Sequence, residues 1–351
     1  MTLKTPVVSI IVPTYQLEDN VGKFCDALNR QTADPKFFEV IFIDDASRDR
    51  TINIIEKYPF SCCSPKIHAL PVNCGPGAAR NVGILRSSGE YIIFADGDDQ
   101  LASNAIERIV QAARQDRTDA IAYNFLKYDS ENNILGNTIL AQGSRRDTAA
   151  IMRGRSQLIN DYLEMKCDGS VIYTAMRRST ILRNDICFRP GFHEDIDFIF
   201  KFYCKMDSLI FVNEILYYKY NRPNSIVNTI NVKHIDGYLS AWAEIRSFLV
   251  QEHLWEQRKS SYVIGLSGII GVIVMKIVKQ EHANGTRFEL LNHLAVQLAA
   301  LHEDYVLMEP KRNESRYDKI AIEFLSIFRS HQNGSYEKLS QFVESVTNEI
   351  I

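Results

Sequence analysis

The chain has 351 residues, 46% of them apolar, and a formal net charge of −3. That is ample for one large core or two ordinary ones, and it excludes a disordered chain. The near-balanced charge, without long basic blocks, excludes nucleic-acid binding as the main activity.

Met1 to Pro6 lacks the charged, apolar and small-residue zones of a signal peptide, and the seven cysteines include no Cys-x-x-Cys pair. Reduced thiols in a cytoplasmic protein are therefore expected. Val7 to Val12, Phe38 to Ile43, Ile67 to Pro71, Tyr91 to Ala95 and Ala120 to Leu126 are short runs rich in β-branched or aromatic residues, and they read as strands. Helical spacing separates them, as in Val21, Phe24 and Leu28, or Ile106, Ile109, Val110 and Ala113 after the cap candidate Ser103. The alternation predicts an α/β fold: a Rossmann-like, mostly parallel sheet with helices on both faces. Ligands of such sheets bind beyond the carboxyl ends of the strands. Pro13-Thr14-Tyr15, Asp44-Asp45-Ala46-Ser47, Asn73-Cys74-Gly75-Pro76-Gly77 and Asp96-Gly97-Asp98-Asp99 all fall there.

Residues 127–155 read as a polar loop region. A strand at Ser170 to Met176, a helix around Asp197 to Lys205, and strands at Leu209 to Val212 and Ile215 to Tyr220 follow. A boundary near Asn224 divides a first domain, 1–225, from a helical domain, 226–351, with helices at His234 to Glu252, Ser260 to Gln280, Phe288 to His302, Ser315 to Ser330 and Tyr336 to Glu349. The apolar run Tyr262 to Met275 is shorter than the roughly 20 residues a membrane span needs, so a buried helix is expected. Its Gly265, Gly268 and Gly271 predict close helix packing, within the chain or between chains.

The three carboxylates Asp96, Asp98 and Asp99 close an apolar strand. Crowded acids at a strand end supply hard oxygen ligands for Mg²⁺ or Mn²⁺, an ion commonly shared with substrate phosphates. A plain polar turn is the competing explanation.

Val8 to Tyr15, Ile43 to Thr51, Gly77 to Gly83 and Asp96 to Asp99, in that order, resemble family 2 glycosyltransferases of the GT-A fold. The match is close through residue 101 and looser to Ser225, through His193-Glu194-Asp195 and Tyr217 to Ser225. The resemblance implies that Pro13, Thr14, Tyr15 and Asp45 hold a nucleotide base. A tyrosine can stack on uracil, and a carboxylate can accept its imide N–H. Arg80 stands where a dinucleotide fingerprint would have its third glycine, which argues against a NAD site. By resemblance Arg80 lies near the base or the phosphates, Asp96 at the ribose, and Asp98 on the metal with Asp99 in support. Asp195 is implied as the base that deprotonates the acceptor, and Glu194 as the residue that orients it or binds acceptor hydroxyls. Arg222, with Asn224 and Ser225, is implied near the diphosphate. Arg145, Arg146, Arg153 and Arg155 either attract an anionic acceptor or form a solvated face.

The expectation is a metal-dependent inverting glycosyltransferase that moves a hexose or N-acetylhexosamine from a UDP-sugar to a hydroxyl of a growing surface glycan or polyprenol-diphosphate-linked oligosaccharide. The resemblance places it in the cytoplasm, at the inner face of the cell membrane. Peripheral membrane contact and a homo-oligomer through the helical region stay open. The rivals are a nucleotidyltransferase, which needs a Gly-rich basic loop after the first strand, and a non-catalytic glycan-binding protein on the same fold.

Overall fold

The computed structural model describes residues 5–129, 131, 133–138, 155–167, 170–221, 230–280, 284–300, 316–329 and 336–350. Arg222, Asn224, Ser225, Arg145, Arg146 and Arg153 lie outside them. The chain forms two compact units: residues 1–159 with 167–223, and residues 160–166 with 224–351.

The first unit is built on a nine-stranded sheet. β1 (Val8–Thr14) is central, with β2 (Phe38–Asp44) parallel on one side and β4 (Tyr91–Phe94) parallel on the other; β3 (Lys66–Ala69) continues beyond β2, also parallel. Buried parallel strands have no solvent face, so Ile10, Ile11, Val40, Ile41, Ile92 and Ile93 are all fully buried. The helices between them are α1 (Val21–Asn29), α2 (Thr51–Lys57) and α3 (Pro76–Arg86). A Cβ at Gly83 of α3 would lie 2.2 Å from Ile11 of β1, so a side chain there would push the helix off the sheet.

Beyond β4 the sheet is mixed. β8 (Thr174–Arg177) pairs antiparallel with β4 and β6 (Ala120–Tyr128), and β9 (Leu209–Tyr220) runs parallel to β6. The short β5 (Gln100–Leu101) and β7 (Ile134–Thr138) complete the sheet by antiparallel pairing to β9 and β6. The expected parallel character thus holds across β3, β2, β1 and β4 and gives way to mainly antiparallel pairing outside them, with β6 and β9 the one parallel pair there among the described residues. The remaining helices of this unit are α4 (Ala105–Asp116), α6 (Arg178–Arg183) and α7 (Glu194–Lys205); α5 (Arg155–Leu163) has its first residues in this unit and its last in the second. Ser103 is not the cap of α4. The cap position is Asn104, without a side-chain bond, and the N–H of Ile106 is met by the Gln31 side chain at 3.2 Å.

The second unit is helical: α8 (Val232–Gln251), α9 (Trp255–Lys279), α10 (Asn284–Ala300), α11 (Arg316–Arg329) and α12 (Tyr336–Ile350). α9 touches each of the other four and forms the centre of the unit. At 25 residues it is longer than the apolar run suggests, and by length and composition alone it could cross a membrane, but 78% of its most apolar window is buried within the protein. Its glycines pack inside the chain: a Cβ at Gly265 would lie 1.8 Å from the Leu163 carbonyl oxygen, and one at Gly271 2.1 Å from that of Tyr317.

Candidate active site

The chain order runs outward from β1 through β2 to β3, then returns to β4 on the other flank of β1. The loops after β1 and β4 therefore leave in opposite directions and open a crevice at the carboxyl ends, the switch point where such sheets bind ligands. Pro13 fits this plan. The carbonyls of Val7 and Ile11 accept the amides of Tyr91 and Ala95 on the β4 flank, while that of Thr14 accepts the Asp45 amide on the β2 flank, so the nitrogen of Pro13 faces the flank where β4 has ended and no ladder bond is lost.

On the β2 and β3 side of the crevice lies a cleft of about 510 Å³ lined by Tyr15, Ser47, Arg48, Val72 and Asn73 among others. Tyr15 is 43% exposed, an aromatic face offered to the cleft. The floor is tied from below. Buried Asp44 accepts from the Thr14 hydroxyl at 3.1 Å and from the amide and hydroxyl of Ser47 at 2.8 and 2.6 Å. Asp45 is also buried, and its two carboxylate oxygens accept the amides of Cys74 and Gly75, both at 2.7 Å. Asp45 thereby fixes the turn that starts α3, where Gly75 has the positive φ of 89° that favours glycine.

On the β4 side, ligand oxygens of Asp96, Asp98 and Asp99 lie within 4.8 Å of one another. Gly97 lets this loop press on β1, since a Cβ there would lie 2.9 Å from Leu17 and 3.2 Å from Thr14. The fully buried Tyr217 of β9 organises the cluster: its hydroxyl accepts the Asp96 amide at 3.0 Å and donates to Asp99 at 2.7 Å. The other oxygen of Asp99 accepts the Tyr220 amide at 2.8 Å. Burial, with the charge of Asp96 beside it, pushes the Asp99 carboxyl up to about 7.

Arg80, in the second turn of α3, joins this cluster to α7. One terminal nitrogen donates to Asp96 at 2.9 Å and the other to Glu194 at 2.6 Å. Glu194 begins α7 and is buried, which raises its carboxyl from the usual range against the pull of Arg80. Asp195 follows it, half-buried and close enough for its charge to act on both Arg80 and Glu194. His193 takes the N-cap position of α7 with a φ of 56° and no capping bond from its side chain. The segment before α7 is clamped by Arg189, which donates to fully buried Asp197 at 2.8 Å and to the carbonyls of Phe192 and His193.

Sequence reasoning gave no role to Tyr217, Arg189 or Asn81, the last exchanging two hydrogen bonds with the Phe188 backbone at 2.8 and 2.9 Å. The even spacing of Tyr217 and Lys219 along β9 was the available signal for one face of that strand. Among the predicted residues, the structure gathers Asp96, Asp98, Arg80, Glu194 and Asp195 into one connected group, with Thr14, Tyr15 and Asp45 across the crevice on the cleft side.

A model described as glycosyl transferase family 2 matches residues 9–186, slightly more than half of the chain. The chain belongs to this family. Among relatives of this chain, the cholesterol galactosyltransferase of Borreliella burgdorferi is 29% identical over 232 residues, 65% of this chain and 63% of that one. The putative glycosyltransferase EpsH of Bacillus subtilis is 27% identical over 260 residues, 73% of this chain and 72% of that one. The chain spans less than two thirds of the Borreliella protein's length. A crystal structure of residues 1–349 of TarS from S. aureus, in complex with UDP-GlcNAc, superposes with a TM-score of 0.58 at 17% identity, covering 92% of this chain and 91% of that one. At that identity the likeness speaks for the fold.

Proposed function

We propose that this glycosyltransferase transfers a hexose or N-acetylhexosamine from a UDP-sugar to a hydroxyl of a glycan, with inversion and with the help of a divalent cation. The observation that carries the reading is the acidic cluster at the switch point, flanked by an open cleft on one side and by the α7 carboxylates on the other. The cleft suits a uracil ring, with Tyr15 to stack on it and Ser47, Arg48 and Asn73 to meet its polar edge and the ribose. The relatives act on galactose by name in one case and bind UDP-GlcNAc in another, which supports a UDP-sugar donor.

The donor set fits a hard cation, since it consists of carboxylate oxygens alone. Asp98, which the family resemblance puts on the metal, is the residue that would hold Mg²⁺ or Mn²⁺, with Asp96 beside it in the same cluster. When bound, the ion neutralises the diphosphate and makes it a better leaving group. Asp195, at the start of α7, takes the proton from the attacking hydroxyl. Bond formation at the anomeric carbon on the face opposite the departing UDP inverts that centre. The acceptor is a saccharide hydroxyl, free or on a polyprenol diphosphate, and the latter would bring the protein to the inner face of the cell membrane.

UDP release from a panel of UDP-sugars, with and without Mn²⁺, tests the reading in the wild type, Asp98→Ala and Asp195→Asn. One sugar should be turned over in a metal-dependent way. Asp98→Ala should abolish that release, and Asp195→Asn should slow transfer by about 10²–10⁴-fold. Binding without turnover of any donor, even with glycan supplied, would instead indicate a glycan-binding protein on this fold.

A further inference from the structure

Arg80 is an unusual place for a nucleotide contact. Its side chain is 8% exposed, and both terminal nitrogens already meet carboxylates, those of Asp96 and Glu194. The Phe188 ring lies 5.5 Å from its central carbon, and its Nε is buried without a hydrogen-bond partner. A donor phosphate would have to displace one of these carboxylates to reach it.

The two carboxylates stand on opposite sides of the chemistry proposed above. Asp96 lies just past β4 beside Asp98, whereas Glu194 opens α7 directly before Asp195. The scaffold that presents Arg80 is held on both sides. Asp45 fixes Gly75 at the start of α3, and Gly83 packs against Ile11. At Gly77 a Cβ would lie 2.8 Å from the Glu194 Cγ and 3.0 Å from the Arg189 carbonyl oxygen, so α3 and the start of α7 approach as closely as glycine allows.

We infer that Arg80 is a positioning residue that spans the donor and acceptor halves of the site, setting the separation between the Asp96–Asp98 loop and the Asp195 base. Its planar fork can grip two carboxylates at once, which a lysine ammonium on a flexible stem cannot do with the same geometry. Without it, Asp96, Glu194 and Asp195 would repel one another across a small, largely buried volume. Glu194, held by Arg80, serves as the far anchor of the span rather than as a binder of acceptor hydroxyls. The inference rests on the reading of Asp98 and Asp195 given under the proposed function.

The test compares wild type, Arg80→Lys, Glu194→Gln and the double variant. UDP affinity is measured by calorimetry with Mn²⁺, transfer is followed at saturating donor, and thermal midpoints confirm folding. UDP affinity should stay within about threefold of wild type while kcat for transfer falls about 100-fold or more in each single variant. The double variant should lose little beyond either single one, because the two residues act as a unit. If the double variant fails to fold, Arg80→Lys and Glu194→Gln still carry the comparison of UDP affinity with kcat. A tenfold or larger loss of UDP affinity in Arg80→Lys with kcat unchanged would make Arg80 a donor contact and overturn the inference, as would losses that simply multiply. Failure of the underlying reading looks different: wild type itself would then bind no UDP with Mn²⁺, and the inference would fall with it.

Discussion

Asp45 anchors the turn beside the cleft. Its carboxylate accepts two amides of the 74–75 turn, and that turn adjoins Val72 and Asn73 on the cleft wall. Asp45→Ala leaves two amides without their acceptor, at a cost of about 1–3 kcal/mol, and frees the wall against which the base would rest. The thermal midpoint should fall, and UDP affinity measured by calorimetry should drop at least tenfold. Asp45→Asn, which keeps one acceptor oxygen, should fall between. Lost UDP binding with an unchanged midpoint would assign Asp45 to the base alone and remove the turn-anchoring argument.

At the scale of elements, Glu39 of β2 stitches the amino ends of the parallel strands. It accepts from Ser9 of β1 at 2.6 Å, from the amide and hydroxyl of Ser88 before β4 at 2.6 and 2.8 Å, and from Lys66 of β3 at 2.6 Å. Burial alone would raise its carboxyl, but the bonds from Lys66, Ser9 and Ser88 outweigh it and hold the group at about 2. A depressed carboxylate stabilises the fold above its unfolded value of about 4.3, and that stability is lost as pH falls towards 2. With screening at the half-exposed lysine allowed for, Glu39→Gln should cost about 1–2 kcal/mol at pH 7. Urea denaturation should show the gap narrowing between pH 4 and pH 2, and a gap independent of pH would refute the ionic origin.

β1 and β4 were legible because a buried parallel strand is a largely apolar run, as in Ile10 to Val12 and Tyr91 to Phe94. Elsewhere local pattern misled. Ser170 to Met176 divides into a 3₁₀ turn at Val171–Tyr173 and the strand β8, two conformations that the same apolar residues support. Leu209 to Val212 and Ile215 to Tyr220 are one strand: the polar Asn213-Glu214 pair is a bulge opposite Tyr123 and Asn124, not a turn. Asn213 there accepts from Asn124 at 3.1 Å and Glu214 from Arg108 at 2.7 Å, partners distant in sequence. The site divides in the same way. Asp96, Asp98 and Asp195 could be picked out by motif and order, while the bond from Arg80 to Glu194 joins residues 114 apart and has no local signature.

For the whole molecule, the chain does not divide at one point. Residues 160–166 belong with the helical unit, although they lie within the sheet unit's stretch of sequence. Arg258 donates to Asn160 at 2.7 Å and Ser261 to Glu164 at 2.7 Å, and Leu163 is fully buried with its carbonyl against Gly265. A chain ended after residue 223 would keep this segment and lose its partners. Exposing Leu163 alone forfeits about 1.5–3 kcal/mol, and an uncovered apolar helix end invites association. The shortened chain should therefore self-associate in light scattering, and Leu163→Gln in the same background should reduce that association. The cleft and the acidic cluster, all between residues 15 and 99, should keep the proposed UDP affinity in the Leu163→Gln form to within about tenfold. A shortened chain that stays monodisperse with Leu163 in place would show that residues 160–166 find cover without α9, and their assignment to the helical unit would lose its energetic meaning.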